Sequence, residues 1–141
     1  ISFTDNTQMD ITINGSNEFR FESDGDFHAD GDVIAASTTV SSDERLKENI
    51  ETIENATDKI KQIRGVTFTK KHSGEESAGV IAQEVEKILP SAVKEKILPM
   101  ETRDEETLWK TVKYDQLHAL LIESVKELTK RVEELENGNT E

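Results

Sequence analysis

The chain has 141 residues, 33% hydrophobic and 33% charged, with a formal net charge of -13; it can form one modest core, and an isolated copy is short of apolar surface to bury. The charge argues against nucleic acid or anionic membrane as a target, since either repels an acidic chain that lacks a basic patch, and no apolar run is long enough to cross a membrane. With no cysteine, disulfides and thiolate metal sites are excluded, so stability must come from packing and, at this composition, from association with further chains.

The N-terminal ISFTDNTQMD lacks the basic and apolar regions of a signal peptide and reads as the interior of a longer protein. Residues 1–40 carry eight acids against one base, a local charge of -7, whereas residues 43–141 carry 22 against 16, or -6. In the first part, alternating runs recur: MDITING with Met9, Ile11 and Ile13, and EFRFES with Phe19 and Phe21. Asn-Gly and Asp-Gly turn signals stand at 14–15, 24–25 and 30–31, so the segment is expected to form short strands. A single sheet of such strands has bare edges and no second layer. Identical chains winding together and burying each other's alternate residues, as in a trimeric fibre stem, satisfy the pattern better; a small hairpin domain is the alternative.

From Ser42 the text changes. SDERLKENIETIENATDKIKQIRG opens on a Ser or Asp that can cap a helix, and Ile50, Ile53, Ile60 and Ile63 fall on one helical face before Gly65. VTFTK, residues 66–70, alternates as a strand does, and KHSGEES is its turn. AGVIAQEVEKILP places Val80, Ile81, Val85, Ile88 and Leu89 on helical spacing and ends at Pro90. The signal weakens over 91–113, where two strands are expected, at roughly 92–98 and 107–112.

The remainder, YDQLHALLIESVKELTKRVEELENGNTE, predicts a long amphipathic helix. Tyr114, Leu121, Leu128 and Leu135 share one heptad position and His118, Val125 and Val132 the other, which is the seam of a coiled coil; the pairing does not by itself choose between dimer and trimer. Leu117, Leu120 and Ile122 widen the apolar face near the start, where the helix is expected to dock on the globular part. A helix packed only on its own domain is the alternative.

At the seam stands SSDERLKENI. A serine hydroxyl becomes a nucleophile only when its proton is removed, and a lysine can remove it only where burial or a neighbouring cation lowers its pKa. Ser42 and Lys47 can form such a pair. Spacing alone equally fits Ser42 as a helix N-cap, Asp43 and Glu44 as acids near the helix dipole, and Lys47 on a solvated face. Other polar residues carry less: His28, His72 and His118 have no ligand spacing, Trp109 fits a core anchor or a stem contact, and Glu75-Glu76 and Glu105-Glu106 read as solvated loops.

Three blocks, SSDERLKENI, GVIAQEVEKILPSAV (79–93) and VKYDQLHALLIESVKEL (112–128), stand in one order. In that order and spacing the chain resembles the C-terminal intramolecular chaperone, or auto-processing, domain of bacteriophage tail fibres, tailspikes, neck appendages and endosialidases, over about residues 42–135. The resemblance implies an α+β homotrimer: an intertwined β-stem of the triple β-helix type over 1–42, then the chaperone domain over 43–141. Within that domain, 43–113 form a globular part and 114–136 a coiled-coil helix. It implies a virion protein that registers its own upstream stem and then cuts itself at Ser42-Asp43. Its chaperone part is released in the host cytoplasm, with Ser42 and Lys47 as the catalytic dyad. No cofactor, metal, nucleic acid or membrane is implied. A serine reaches the carbonyl before its own residue through a favourable five-membered ring, so a simple acyl shift favours Ser41-Ser42. A cut after Ser42 needs a serine from elsewhere, a lysine-activated water or help from Asp43. The alternative function is a trimerisation module that is not cut.

Overall fold

The computed structural model describes residues 8–138 of an α+β chain. Three antiparallel strands open it: β1 (Gln8–Ile13), β2 (Ser16–Glu22) and β3 (Phe27–Ala29), in the order β1-β2-β3. Asn14 and Gly15 turn the first hairpin, both with positive φ (53° and 84°), the backbone that a two-residue primed turn needs and that Asn-Gly supplies at least strain. Register sets Met9 opposite Phe21 and Ile11 opposite Phe19, then Phe21 opposite Phe27. Directly opposed residues share a face, so one face is apolar, with the Phe21 and Phe27 rings 4.9 Å apart. The other face carries Asp10, Arg20 and His28, also opposed in register.

The helix expected from Ser42 to Arg64 does not form. Glu44–Leu46 make a single 3-10 turn, residues 47–55 hold no helix, and only α1 (Ala56–Ile60) is helical. Asn49 and Asn55 adopt left-handed φ of 52° and 53°, which a right-handed helix cannot accommodate and asparagine tolerates best after glycine. Ile50 is consequently exposed rather than part of a buried stripe with Ile53, Ile60 and Ile63.

Downstream the pattern and the fold agree more closely. Strands β4 (Val66–Thr69) and β5 (Glu76–Gly79) form an antiparallel pair, and α2 (Ala82–Ile88) ends before Pro90, which opens a short 3-10 turn. Strands β6 (Val93–Ile97) and β7 (Leu108–Val112) pair, separated by the one-turn helix α3 (Pro99–Thr102). The last element is α4 (Tyr114–Gly138).

These elements fall into two compact units. One comprises the described residues up to Ser42 together with Ile97–Trp109; the other begins at Asp43, runs to Lys96 and resumes at Lys110. The second holds the core: Val85, Ala92 and Leu117 are buried, with Ile63, Val80, Leu89, Val93 and Val112 packed around them. Leu120 and Ala56 are fully buried where α4 meets α1. Among the described residues, more large apolar side chains are exposed than buried, and no helix is long and apolar enough to cross a membrane.

Candidate functional site

Residues 31–50 are exposed throughout. Ser42 ends the N-terminal segment of the first unit and Asp43 begins the second. Asp43, not Ser42, caps the 3-10 turn: its carboxylate accepts from the Arg45 backbone N–H at 2.9 Å and from the Arg45 guanidinium at 3.0 and 2.8 Å. The guanidinium bonds, then the backbone N–H, and to a lesser degree the charge of Lys47, hold the Asp43 carboxyl below its ordinary range. Lys47 closes the turn in extended conformation (φ -125°, ψ 147°), its N–H bonded to the Glu44 carbonyl. Arg45 thus keeps the residue after the Ser42 carbonyl in one orientation, with its carboxylate already satisfied by three donors.

The segment beyond Lys47 is anchored at its far end. Asn55 stands at the N-cap of α1 without making a side-chain cap. The cap comes instead from Glu127 on α4, whose two oxygens accept from the backbone N–H groups of Ala56 (2.7 Å) and Thr57 (2.8 Å). A carboxylate taking two orphan N–H donors at a helix start is favoured by charge and by hydrogen bonding alike. Bonds from Thr57 and Ala56 hold Glu127 down to about 2. Thr57 is buried and its hydroxyl reaches the Ser124 carbonyl at 3.4 Å. Sequence reasoning missed this clamp, because Glu127 reads as one more acid on a charged helix.

Helix α4 has two distinct faces. Leu117, Leu120 and Ser124 are buried inward and Glu127 points to α1. The heptad seam, Tyr114, His118, Leu121, Val125, Leu128, Val132 and Leu135, is exposed along its whole length. Only the near part of the expected docking face is inward, for Ile122 is 59% exposed. Tyr114 alone of the seam turns its hydroxyl back on its own chain, accepting from the Val80 N–H at 3.1 Å.

In the first unit Arg20 is 2% exposed and bridges two acids. It donates to Asp10 at 2.7 Å and, through both terminal nitrogens, to Glu105 at 2.8 and 2.9 Å. Glu105 is thus an exposed loop residue, as its pairing with Glu106 suggests, that is also an ion-pair partner of Arg20. Trp109 is 43% exposed and anchors no core in the single chain. His72 and His118 are exposed, and His28 Nε2 is shielded from solvent 3.4 Å from Glu22 Oε1, without hydrogen-bond geometry. The carboxylates of Glu22, Asp24 and Asp26 come within 4.8 Å of one another at the β2–β3 turn, an arrangement that could hold a cation and is common on surfaces without one.

Residues 42–94 match a family model described as chaperone of endosialidase. The chain is similar to the long tail fiber protein Gp37 of Enterobacteria phage K3 and of Enterobacteria phage T2, each 37% identical over 134 residues, or 92% of this chain and 10% of either relative. Gp37 of Salmonella phage S16 is 35% identical over 113 residues, 74% of this chain and 14% of that protein. The chain thus spans about a tenth of the length of the first two relatives.

Proposed function

Because residues 42–94 belong to the chaperone-of-endosialidase family, we propose that this chain is the intramolecular chaperone of a phage tail fibre. It brings three copies into register, aids folding of the β-strands before Ser42, and then separates by self-cleavage at Ser42-Asp43. The observation that carries this reading is a coincidence of boundaries: the family match begins at Ser42, and the compact unit holding the core begins at Asp43. On this reading the stem is 1–42 and the chaperone 43–141, with Ile97–Trp109 of the chaperone counted in the first compact unit. Relatives named as long tail fiber proteins support a place in the virion.

Two bare apolar surfaces favour association. One is the α4 seam, with Val125 61% and Leu135 68% exposed; the other is the face of the β1–β3 sheet that carries Ile11, Ile13, Phe21 and Phe27. A face of this kind, rimmed by acids, is covered when copies meet. Interwound strands must find register among chains before any contact stabilises them, so a trimerising helix bundle raises their effective concentration and speeds the step. Cutting the link afterwards removes the chaperone from the refolding equilibrium and traps the stem kinetically.

In the chemistry of the cut, the Ser42 hydroxyl of one copy attacks the Ser42 carbonyl of another, since its own lies across a strained four-membered ring. Lys47 takes the hydroxyl proton and returns it to the departing Asp43 amine, and water then hydrolyses the ester. A lysine performs that role only in a site that disfavours its charge, and Lys47 is exposed in the single chain. Assembly would have to desolvate it, which makes cleavage contingent on correct trimerisation. Asp43 is the least suited of the candidate helpers, since three donors from Arg45 already occupy its carboxylate; its part is to orient the residue after the scissile carbonyl. The exposure of Ser42 and Lys47 also suits a second reading, a trimerisation module that is never cut. Mass spectrometry of the expressed chain separates them. Pieces of 42 residues and of 141 less 42, or 99, residues, lost in Ser42→Ala and Lys47→Ala, support processing; an intact wild-type trimer supports the second reading.

A further inference from the structure

A cut after Ser42 does not divide the first compact unit from the rest of the chain. That unit contains Ile97–Trp109, which lies downstream of the cut and is joined at both ends to the piece carrying α4. Two sets of charged contacts tie this excursion to the strands upstream. Arg20, in the middle of β2 and 2% exposed, is held by Asp10 on β1 and by both oxygens of Glu105 from the excursion. Arg103 of the excursion donates to Asp30, just past β3, at 2.7 Å. Helix α3 also contacts β2.

The sheet is thus inverted relative to an ordinary two-layer protein. Its charged face, with Asp10, Arg20 and His28 in register, is the one the excursion covers, and its apolar face is bare. Withdrawing the excursion strips the buried guanidinium of one of its two carboxylates and re-exposes the other face of the sheet. Breaking a buried charge pair from one side is costly because the remaining charge keeps its desolvation penalty.

From this arrangement we infer that the excursion Ile97–Trp109 is a latch for the chain's own β1–β3 sheet, with Glu105 and Arg103 as its grips, so that self-cleavage converts a covalent link into a held non-covalent complex. Release is then a second step, set by these ion pairs and not by the cut. The inference rests on the processing reading, and extends it: bond scission and separation are distinct events with distinct residues.

The test uses an external cut so that the two readings fail separately. A Ser42→Ala chain carries a specific protease recognition sequence placed within the exposed stretch 33–38; after digestion, size-exclusion chromatography at about 0.15 M salt, where exposed charges are screened beyond about 8 Å, shows whether the two pieces travel together. Co-elution is expected. Glu105→Gln should weaken retention by about tenfold or more. Arg103→Asp should also weaken it, and Asp30→Arg added to Arg103→Asp should restore it, a rescue that general unfolding cannot produce. Arg64→Gln, which breaks an ion pair with Glu84 in the other unit, should leave retention unchanged. Separation of the parent pieces on the column, or retention indifferent to Glu105→Gln and to the Arg103/Asp30 swap, overturns the latch. Absence of self-cleavage in the chain with Ser42 overturns only the processing reading.

Discussion

The hydroxyl of Tyr114, the first residue of α4, lies directly over Gly79, the last residue of β5; it accepts a hydrogen bond from the next N–H, that of Val80, and would overlap a Cβ placed at position 79. Gly79 is therefore required for lack of a side chain, since its φ is not positive. Gly79→Ala should destabilise by about 1–3 kcal/mol through overpacking, and Tyr114→Phe by about 1 kcal/mol through the lost bond. Because phenylalanine removes the clashing oxygen, the double variant should be less destabilised than the sum. Urea midpoints of the four proteins test this; strict additivity would exclude the contact.

Leu120 is fully buried between α4 and α1. Leu120→Ala should cost about 2–5 kcal/mol, the range for leucine truncation in a core that relaxes only in part. Leu121→Ala, one position on and 46% exposed, should leave the stability of the single chain nearly unchanged. Thermal unfolding at low protein concentration distinguishes them.

Glu127 links stability to pH. Its carboxyl is lowered from the ordinary 4.5 to about 2 by the bonds from Thr57 and Ala56. A carboxyl depressed by folding contributes stability that is fully present above the unfolded pKa and is lost as pH falls through the folded one. Wild type should therefore exceed Glu127→Gln by a constant margin from pH 7 to about 5, and the margin should shrink between 4.5 and about 2. Denaturation of both proteins across this range checks the sign. A margin that grew on acidification would rule out the clamp.

The α4 seam separates folding from assembly. Val125 and Leu128 are 61% and 48% exposed, so Val125→Glu with Leu128→Lys should alter single-chain stability by only about 0.5 kcal/mol, as exposed sites do. Association should be abolished, and with it cleavage. Analytical ultracentrifugation and mass spectrometry on one preparation decide the matter, because efficient cleavage by the monomer would sink the dependence of the dyad on assembly.

How much was legible in the sequence varied with the range of the forces involved. Asn14-Gly15 turned the hairpin it signals, Pro90 ended α2, the alternation of VTFTK became β4, and the heptads from Tyr114 became a continuous helix. These features rest on local backbone preference and on side-chain period, which a few neighbouring residues settle. The apparent helix from Ser42 misled for the converse reason. Four isoleucines at helical spacing met two asparagines in left-handed conformation, and the short helix that did form starts where Glu127 supplies the missing cap from 71 residues away at Ala56.

The candidate site divides in the same way. Sequence by itself singled out Ser42, Asp43 and Lys47 as candidates, because the proposal for them comes from adjacency and from the order of the three blocks around them. Only tertiary structure decided that Arg20 is buried against an acid 85 positions away, and that one stripe of α4 faces inward while its heptad seam stays bare. A buried charge is tolerable only where a partner meets it, and which of 30 acids does so depends on how distant strands and helices are brought together.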